Sequence, residues 1–392
     1  MTGLADRTLT DRSPAGRARA LAPLIRAQAE PMAALRRMPD ELCAALRADG
    51  LYRLCIPKAL GGLEAHPHVI IETLEALADT DASAAWCVMI GATTGVLGAY
   101  LAAEAASEIF TDPGLVLAGV YAPLGQAHLE GDRLKVTGRW RWASGAQNAT
   151  WLCAGCVVHE NGQPLMLDDR RPDQRLVLFP ASQASFIDTW HTGGLRGTGS
   201  GDFSLTELSV PADRCVSLTT DRPVCDGPLY RFPVFGLLAM GVAAVACGNA
   251  MAAVREFSEE AGARRLPGGR LLAERGSVQM TFAGASARLK AARAFLISEV
   301  DACWREAEAG LPLSLERRAH LRLAATHLVR TAAEVVRDLQ DLAGGSGVFL
   351  ASPLNRRLAD AQTMTAHIMT APASYELTGR ALMGLPTAAA EL

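Results

Sequence analysis

Between Leu134 and Trp142 apolar and polar side chains alternate. Leu134, Val136, Trp140 and Trp142 fall on one face, and Lys135, Thr137, Arg139 and Arg141 on the other. A period of two predicts a half-buried strand. The run from Ser144 to Asn148 is turn-like, and Trp151 to Val158 returns as a second strand. Outside this stretch the pattern changes. Residues 1 to about 112 read as helices. Pro39-Asp40-Glu41 starts one that Gly50 closes, Pro67 opens another, and Asp81 or Ser83 caps a third. Leu51 to Ile56 reads as a short extended run ended by Pro57. From Leu115 to about Leu218 strands and turns alternate, with hairpin signals at Glu130-Gly131-Asp132 and Asn161-Gly162. After Pro228 come four long helical segments, at about 235–262, 277–308, 314–342 and 355–384. Each is roughly 30 residues, or about 45 Å.

This order predicts an α+β fold in three parts: an N-terminal helical domain (1–114), a middle antiparallel β-barrel or sandwich (115–226) and a C-terminal four-helix bundle (227–392). The bundle helices are apolar nearly all round, as in Leu237 to Ala246. A helix without a wide polar face is buried on several sides, so the bundle is expected to pack on copies of itself as a homotetramer.

Composition narrows the class. At 392 residues, with 49 % hydrophobic and 20 % charged side chains, the chain is a well-packed globular protein and not a disordered one. A formal net charge of −3 argues against nucleic acid or an anionic membrane as the main partner. The N-terminus has no signal-peptide core, and Gly, Arg or polar residues break each apolar run, so a cytoplasmic location is expected. Nine scattered cysteines fit reduced, buried thiols. Cys153 and Cys156 have ligand-like spacing, but three residues apart on a strand they point to opposite faces. No second pair exists and no metal is expected.

The chemistry centres on Trp142-Ala143-Ser144-Gly145. A hydroxyl beside an indole at an exposed strand end suits a planar ring ligand: the indole gives a wall, and Ser144 Oγ with nearby backbone N–H groups gives hydrogen bonds. The alternative is a plain sheet edge with two core tryptophans.

Several local words resemble the acyl-CoA dehydrogenase superfamily. These are Leu54 to Leu63, Ala76 to Ser83, Trp142 to Gly145, Gly194 to Gly201 with Leu208 to Pro211, Arg265 with Gly269 to Glu274, and Gln340 to Gly347 followed by Pro353 and Asp360. They span nearly the whole chain in the family's order. The resemblance implies that Trp142, Ser144, Gly145, Thr198 and Ser200 meet a flavin, while Arg265, Gly344 and Gly345 reach the diphosphate and adenine half of a flavin in a neighbouring subunit. Retention of those words favours FAD over FMN, although Gly268 stands where the family has an aromatic residue.

The chain departs from the dehydrogenases at their base. The carboxylate that removes the α-proton of the thioester falls, by the family's spacing, on Ile368, and the other family position near Phe235 also lacks Glu. His367 stands beside the vacancy. This resembles the branch of two-component flavin-dependent monooxygenases, in which a separate NAD(P)H:flavin reductase supplies reduced flavin and O₂ adds to give a C4a-hydroperoxide. The resemblance implies that Ser144 bonds near flavin N5 and that His367, on the last helix, stabilises the peroxide or takes a substrate proton. A buried histidine bonded to Asp360 or to a backbone carbonyl is the structural alternative. Trp86, Phe235 and the loop Pro228 to Phe232 are candidate pocket walls for a small phenolic or indolic substrate. An acyl-CoA dehydrogenase with its base elsewhere, an amino-sugar N-oxygenase and a flavin-free scaffold are the rival readings.

Overall fold

The computed structural model describes residues 11–388 and Leu392. Six helices come first: α1 (Pro14–Ala20), α2 (Ala22–Leu35), α3 (Asp40–Ala48), α4 (Pro67–Thr80), α5 (Ala82–Thr94) and α6 (Ala103–Phe110). Leu51–Arg53, expected to be extended, is a turn of 3₁₀-helix entered through left-handed Gly50. Asp81 caps α5, its carboxylate accepting from the N–H groups of Ser83 and Ala84 at 2.9 and 3.0 Å.

Eight strands follow: β1 (Leu117–Glu130), β2 (Arg133–Trp140), β3 (Trp151–Glu160), β4 (Gln163–Pro164), β5 (Gln174–Pro180), β6 (Ser185–Ile187), β7 (Asp202–Pro211) and β8 (Cys215–Val216). They form one sheet in the order β6-β7-β2-β1-β3-β5-β8, with β4 on β3. The sheet is not purely antiparallel: β1 and β3 run parallel. The alternation in β2 holds for Leu134, Val136 and Trp140, which are buried. Trp140 stacks on Phe203 and donates from its indole to Gly155 O at 2.7 Å. Trp142 breaks the pattern. Its φ of +65° lies in the left-handed region, β2 has ended, and the indole is 70 % exposed.

The last third holds α7 (Pro228–Arg231), α8 (Val234–Ala263), α9 (Gly276–Glu308), α10 (Leu315–Ala343), α11 (Pro353–Met364) and α12 (Ala373–Leu382). The fourth long helix expected from the sequence is therefore two short ones. Thr365 bonds back from its hydroxyl to Gln362 O, and Pro372 resets the chain ahead of α12, so residues 365–372 run as turns.

α8 is apolar all round for a reason internal to the chain. It packs against α4, α5, α9, α10 and α11, and one continuous core joins the N-terminal helices to the bundle. At Gly248 the approach to α4 is so close that a Cβ would lie 2.5 Å from Glu75 O. Buried Arg357 pins α11 across the C-terminal end of α4, donating to Ala78 O and Asp79 O at 2.9 and 2.7 Å and pairing with Glu256. The segments Ala82–Ala99 and Val234–Ala263 are both long and apolar enough to cross a membrane, contrary to the expectation that every apolar run is broken. Both are mostly buried inside this core.

Candidate active site

Three segments distant in sequence meet at the N-terminal half of α5. The first is the turn after β2. Left-handed Trp142 and Gly145 swing the chain inward, and Ala143 N–H donates to Gly201 O while Gly145 N–H donates to Thr198 O at 2.8 Å. Ser144, expected at an exposed strand end, is thereby buried. The second is the glycine-rich loop, residues 194–201. Gly194 lies so close to α11 that a Cβ there would sit 2.0 Å from Ala359 O. This contact puts Leu195 N–H 2.6 Å from Asp360 Oδ1. The third is the turn segment carrying His367 between α11 and α12.

The hydroxyls of the first two segments form a line. Trp86 Nε1 donates to Ser144 Oγ at 3.1 Å; Ser144 Oγ is 2.6 Å from Ser200 Oγ, and Ser200 Oγ is 2.6 Å from Thr198 Oγ1. Thr198 Oγ1 donates to Leu195 O at 2.8 Å. On its other side the Trp86 indole meets His367 edge-on, with ring centres 5.3 Å apart. Trp86 thus joins the Ser144 hydroxyl to the His367 imidazole.

Burial and the guanidinium of Arg322 hold the His367 pKa down to about 4, so the ring is neutral at pH 7. The Met369 N–H points to His367 Nδ1 at 3.3 Å, which leaves the proton on Nε2. Arg322, itself buried, donates to Met369 O at 3.1 Å. Asp360 does not bond His367. Burial, reinforced by the negative charge of Asp81, raises its pKa to about 7 although Leu195 N–H, Arg356 and Arg357 pull the other way. The thiols of Cys153 and Cys156 are pushed up to about 12 by burial; Cys153 packs into the large core shared with the helices and Cys156 into the core of the sheet.

Of the residues singled out from sequence, Trp86, Ser144, Gly145, Thr198, Ser200 and His367 come together, with Trp142 beside them on the surface. Phe235 is the second residue of α8, and among the described residues no ring contact links it to Trp86 or His367. Arg265 is exposed on a hairpin and donates to Gly269 O within it. Gly344 and Gly345 are exposed at the end of α10, where Arg264, not Arg265, donates to Ala343 O and Ser346 Oγ. Sequence reasoning missed Leu195, Trp190 and the anchoring use of Asp360. Trp190 Nε1 donates to the same Leu195 carbonyl at 2.9 Å. The only forewarning was the run of glycines before and after Leu195.

A helical domain, a β-domain and a helical bundle, with an indole-walled hydroxyl cluster where they meet, define the class: an acyl-CoA dehydrogenase-like flavoenzyme. Residues 240–372 match the family described as acyl-CoA dehydrogenase, C-terminal domain. The chain is 34 % identical over 351 residues to indole-3-acetate monooxygenase of Pseudomonas putida, covering 89 % of this chain and 88 % of that one. It is 28 % identical over 389 residues to the oxygenase component of the FADH(2)-dependent resorcinol hydroxylase of Rhizobium sp., with 94 % of each chain covered. The solved HsaA monooxygenase from M. tuberculosis matches with a TM-score of 0.88 and 26 % identity, over 96 % of this chain and 98 % of that one. The chain belongs to the flavin-dependent monooxygenases of this fold. It is an oxidoreductase that uses reduced flavin.

Proposed function

We propose that this chain is the oxygenase component of a two-component system that hydroxylates a small indolic substrate, with a separate flavin reductase and O₂ as its partners. One observation carries the site: the Trp86 indole touches both Ser144 and His367, so a ring lying against Ser144 has the imidazole within one side chain of its edge. The residues fit a flavin. Trp142 is a large aromatic held exposed at positive φ, a backbone state that costs of order 1–3 kcal/mol and clusters at ligand sites. It offers a flat wall beside the Ser144 hydroxyl. FAD is favoured over FMN because Arg265, Gly344 and Gly345 are retained.

The reduced flavin supplies the electrons that activate O₂. The chain's residues orient and enclose. Trp86 and the 194–201 loop close the inner wall, which keeps water away and strengthens each fixed donor. His367, neutral and protonated on Nε2, serves as a hydrogen-bond donor to the reacting oxygen and not as a base, since its Nδ1 lone pair faces the Met369 N–H. The indolic class draws support from the two indole-3-acetate monooxygenases, at 34 % and 30 % identity, against 28 % for the resorcinol enzyme. The dehydrogenase reading loses support: Ile368, at the position of the family base, is 73 % exposed and apolar.

The full chain assembles as a homotetramer in this reading, and works in the cytoplasm. The motive is no longer α8, which its own chain covers. It is the exposed run Val348-Phe349-Leu350, with Leu350 95 % exposed, next to Gly344 and Gly345. Light scattering that finds a monomer at micromolar concentration removes this assembly.

The function is tested by anaerobic titration with reduced FAD, followed by ¹⁸O₂ and either indole-3-acetate or resorcinol. The expected result is an indolic product carrying one labelled oxygen. Resorcinol turnover alone would move the substrate to the phenols. Absence of reduced-flavin binding would remove the reading altogether.

A further inference from the structure

Between the Trp86 indole and the Leu195 carbonyl, the three hydroxyls of Ser144, Ser200 and Thr198 form an unbranched line whose two ends cannot reverse. An indole N–H only donates, and a carbonyl only accepts. Within the line are three O···O contacts, each needing one proton: Ser144 to Ser200 and Ser200 to Thr198, both 2.6 Å, and Thr198 to Leu195 O, 2.8 Å. Three hydroxyl protons are present. Only one arrangement fills all three contacts, with Ser144 donating to Ser200, Ser200 to Thr198, and Thr198 to Leu195 O. Turning the Ser144 proton outward leaves two protons for the three contacts, so one of them becomes a pair of facing lone pairs whichever way the other hydroxyls point. The acceptor end is held in place: Asp360 takes the Leu195 N–H, and the Trp190 indole N–H also converges on the Leu195 carbonyl. All three hydroxyls are buried, so water does not compensate a reversal.

The Ser144 proton is thus committed inward. Its oxygen keeps two lone pairs, of which Trp86 takes one. We infer that Ser144 presents a hydrogen-bond acceptor, and not a donor, to the flavin, and that the Ser200–Thr198 chain behind it makes the site select reduced over oxidised flavin. This rests on the proposal above that the flavin lies against Trp142 and Ser144. Reduced isoalloxazine carries an N–H at N5, which suits a committed acceptor. Oxidised isoalloxazine has a lone pair on the same nitrogen, and the two lone pairs repel. In this inference Ser200 and Thr198, expected from the resemblance to meet the flavin themselves, act as positioning residues by fixing where one proton points.

The test measures dissociation constants for FAD, oxidised in air and dithionite-reduced under argon, on the full-length chain. Wild type is expected to bind the reduced form more tightly. Ser200→Ala deprives the Ser144 proton of its acceptor and lets it turn to the ligand. The oxidised form should tighten, and the reduced-over-oxidised preference should fall about tenfold, the worth of one hydrogen bond. Ser200→Thr restores the hydroxyl and the preference. Thr198→Val breaks the line one step further on and should give the same fall, which keeps the test open if Ser200→Ala folds poorly. Ser144→Ala should weaken reduced FAD about tenfold without weakening oxidised FAD. A preference unchanged in both Ser200→Ala and Thr198→Val, but lost in Ser144→Ala, overturns the proton-order inference while leaving the flavin at Ser144. Wild-type affinity for both forms in Ser144→Ala shows that the flavin lies elsewhere, and both readings fall.

Discussion

The two groups of residues that resemble flavin contacts have opposite surroundings. Ser144, Thr198 and Ser200 are buried, bonded to one another and tied through Leu195 to Asp360. Arg265, Gly344 and Gly345 are exposed, and among the described residues Arg265 bonds only within its own hairpin. A buried polar group must be satisfied by its own chain, so the first group is complete without a second copy. An exposed arginine at a hairpin and exposed glycines at a helix end carry no such demand. They remain free to meet something from outside. The contrast divides the proposed site into a half built by one chain and a half that waits for a ligand or a neighbour.

The largest expected effect lies in the buried half. His367→Ala should lower substrate oxidation by about 10²–10³, the range for one fixed donor acting on a reacting centre, with reduced-flavin binding retained. Glutamine can place an N–H near the position of Nε2, so His367→Gln should recover most of that loss. If His367 were instead a base, Ala and Gln would fail alike, and stopped-flow single-turnover rates of the two variants decide between them.

Melting temperature against pH sharpens the same half, because His367 and Asp360 pull in opposite directions. The His367 pKa is depressed from an ordinary 6.5 to about 4 by burial and Arg322. The unfolded chain therefore binds the extra proton between those values, and this group's contribution to stability grows as pH rises from about 4 to 6.5. Asp360 is raised from 3.8 to about 7 by burial and by Asp81. There the folded chain holds the extra proton, so stability falls as pH rises from about 4 to 7. Asp360→Asn should leave only the rise, and His367→Ala only the fall. The difference between the two variants across this window should be on the order of several degrees by calorimetry. Parallel profiles would mean that neither group is desolvated as described.

Where the sequence could be read and where it could not follows from the range of the forces involved. The helix start at Pro39-Asp40, the cap at Asp81, the hairpins at Gly131 and Gly162, and the long apolar α8 are local or periodic signals, and all were legible. The break at residues 365–372 was not, because Thr365 and Pro372 act against a pattern that remains helical in its spacing. Trp142 fits the alternation of β2, and nothing local announces its left-handed φ. The candidate site was partly visible as Ser144, Thr198, Ser200 and His367. Trp86 was legible as a candidate pocket wall, but its bond to Ser144 was not, since the indole reaches that hydroxyl across a packed interface between α5 and the sheet. The depression of the His367 pKa also depends on distant Arg322. Long-range burial sets it, so a titration near 6.5, which the residue type alone suggests, does not apply.

The smallest effect belongs to the exposed half, and it tests whether that half serves the flavin at all. Among the described residues Arg265 has no partner beyond its hairpin to lose, so Arg265→Ala should leave the melting temperature within about 1 °C of wild type. An exposed guanidinium facing a phosphate is partly screened by water and salt, and pairs of this kind contribute up to about 1 kcal/mol. Reduced FAD should therefore bind about fivefold more weakly. FMN lacks the second phosphate and the adenosine, and its affinity should not change. Because the contact is proposed to come from a neighbouring copy, the loss for FAD should also disappear in any variant that light scattering shows to be monomeric, Phe349→Asp with Leu350→Asp being the direct choice. An equal loss for FAD and FMN would place Arg265 against the shared ribityl phosphate. No loss for either would return the hairpin to a purely structural part, and the site would then reside wholly in the buried half of one chain.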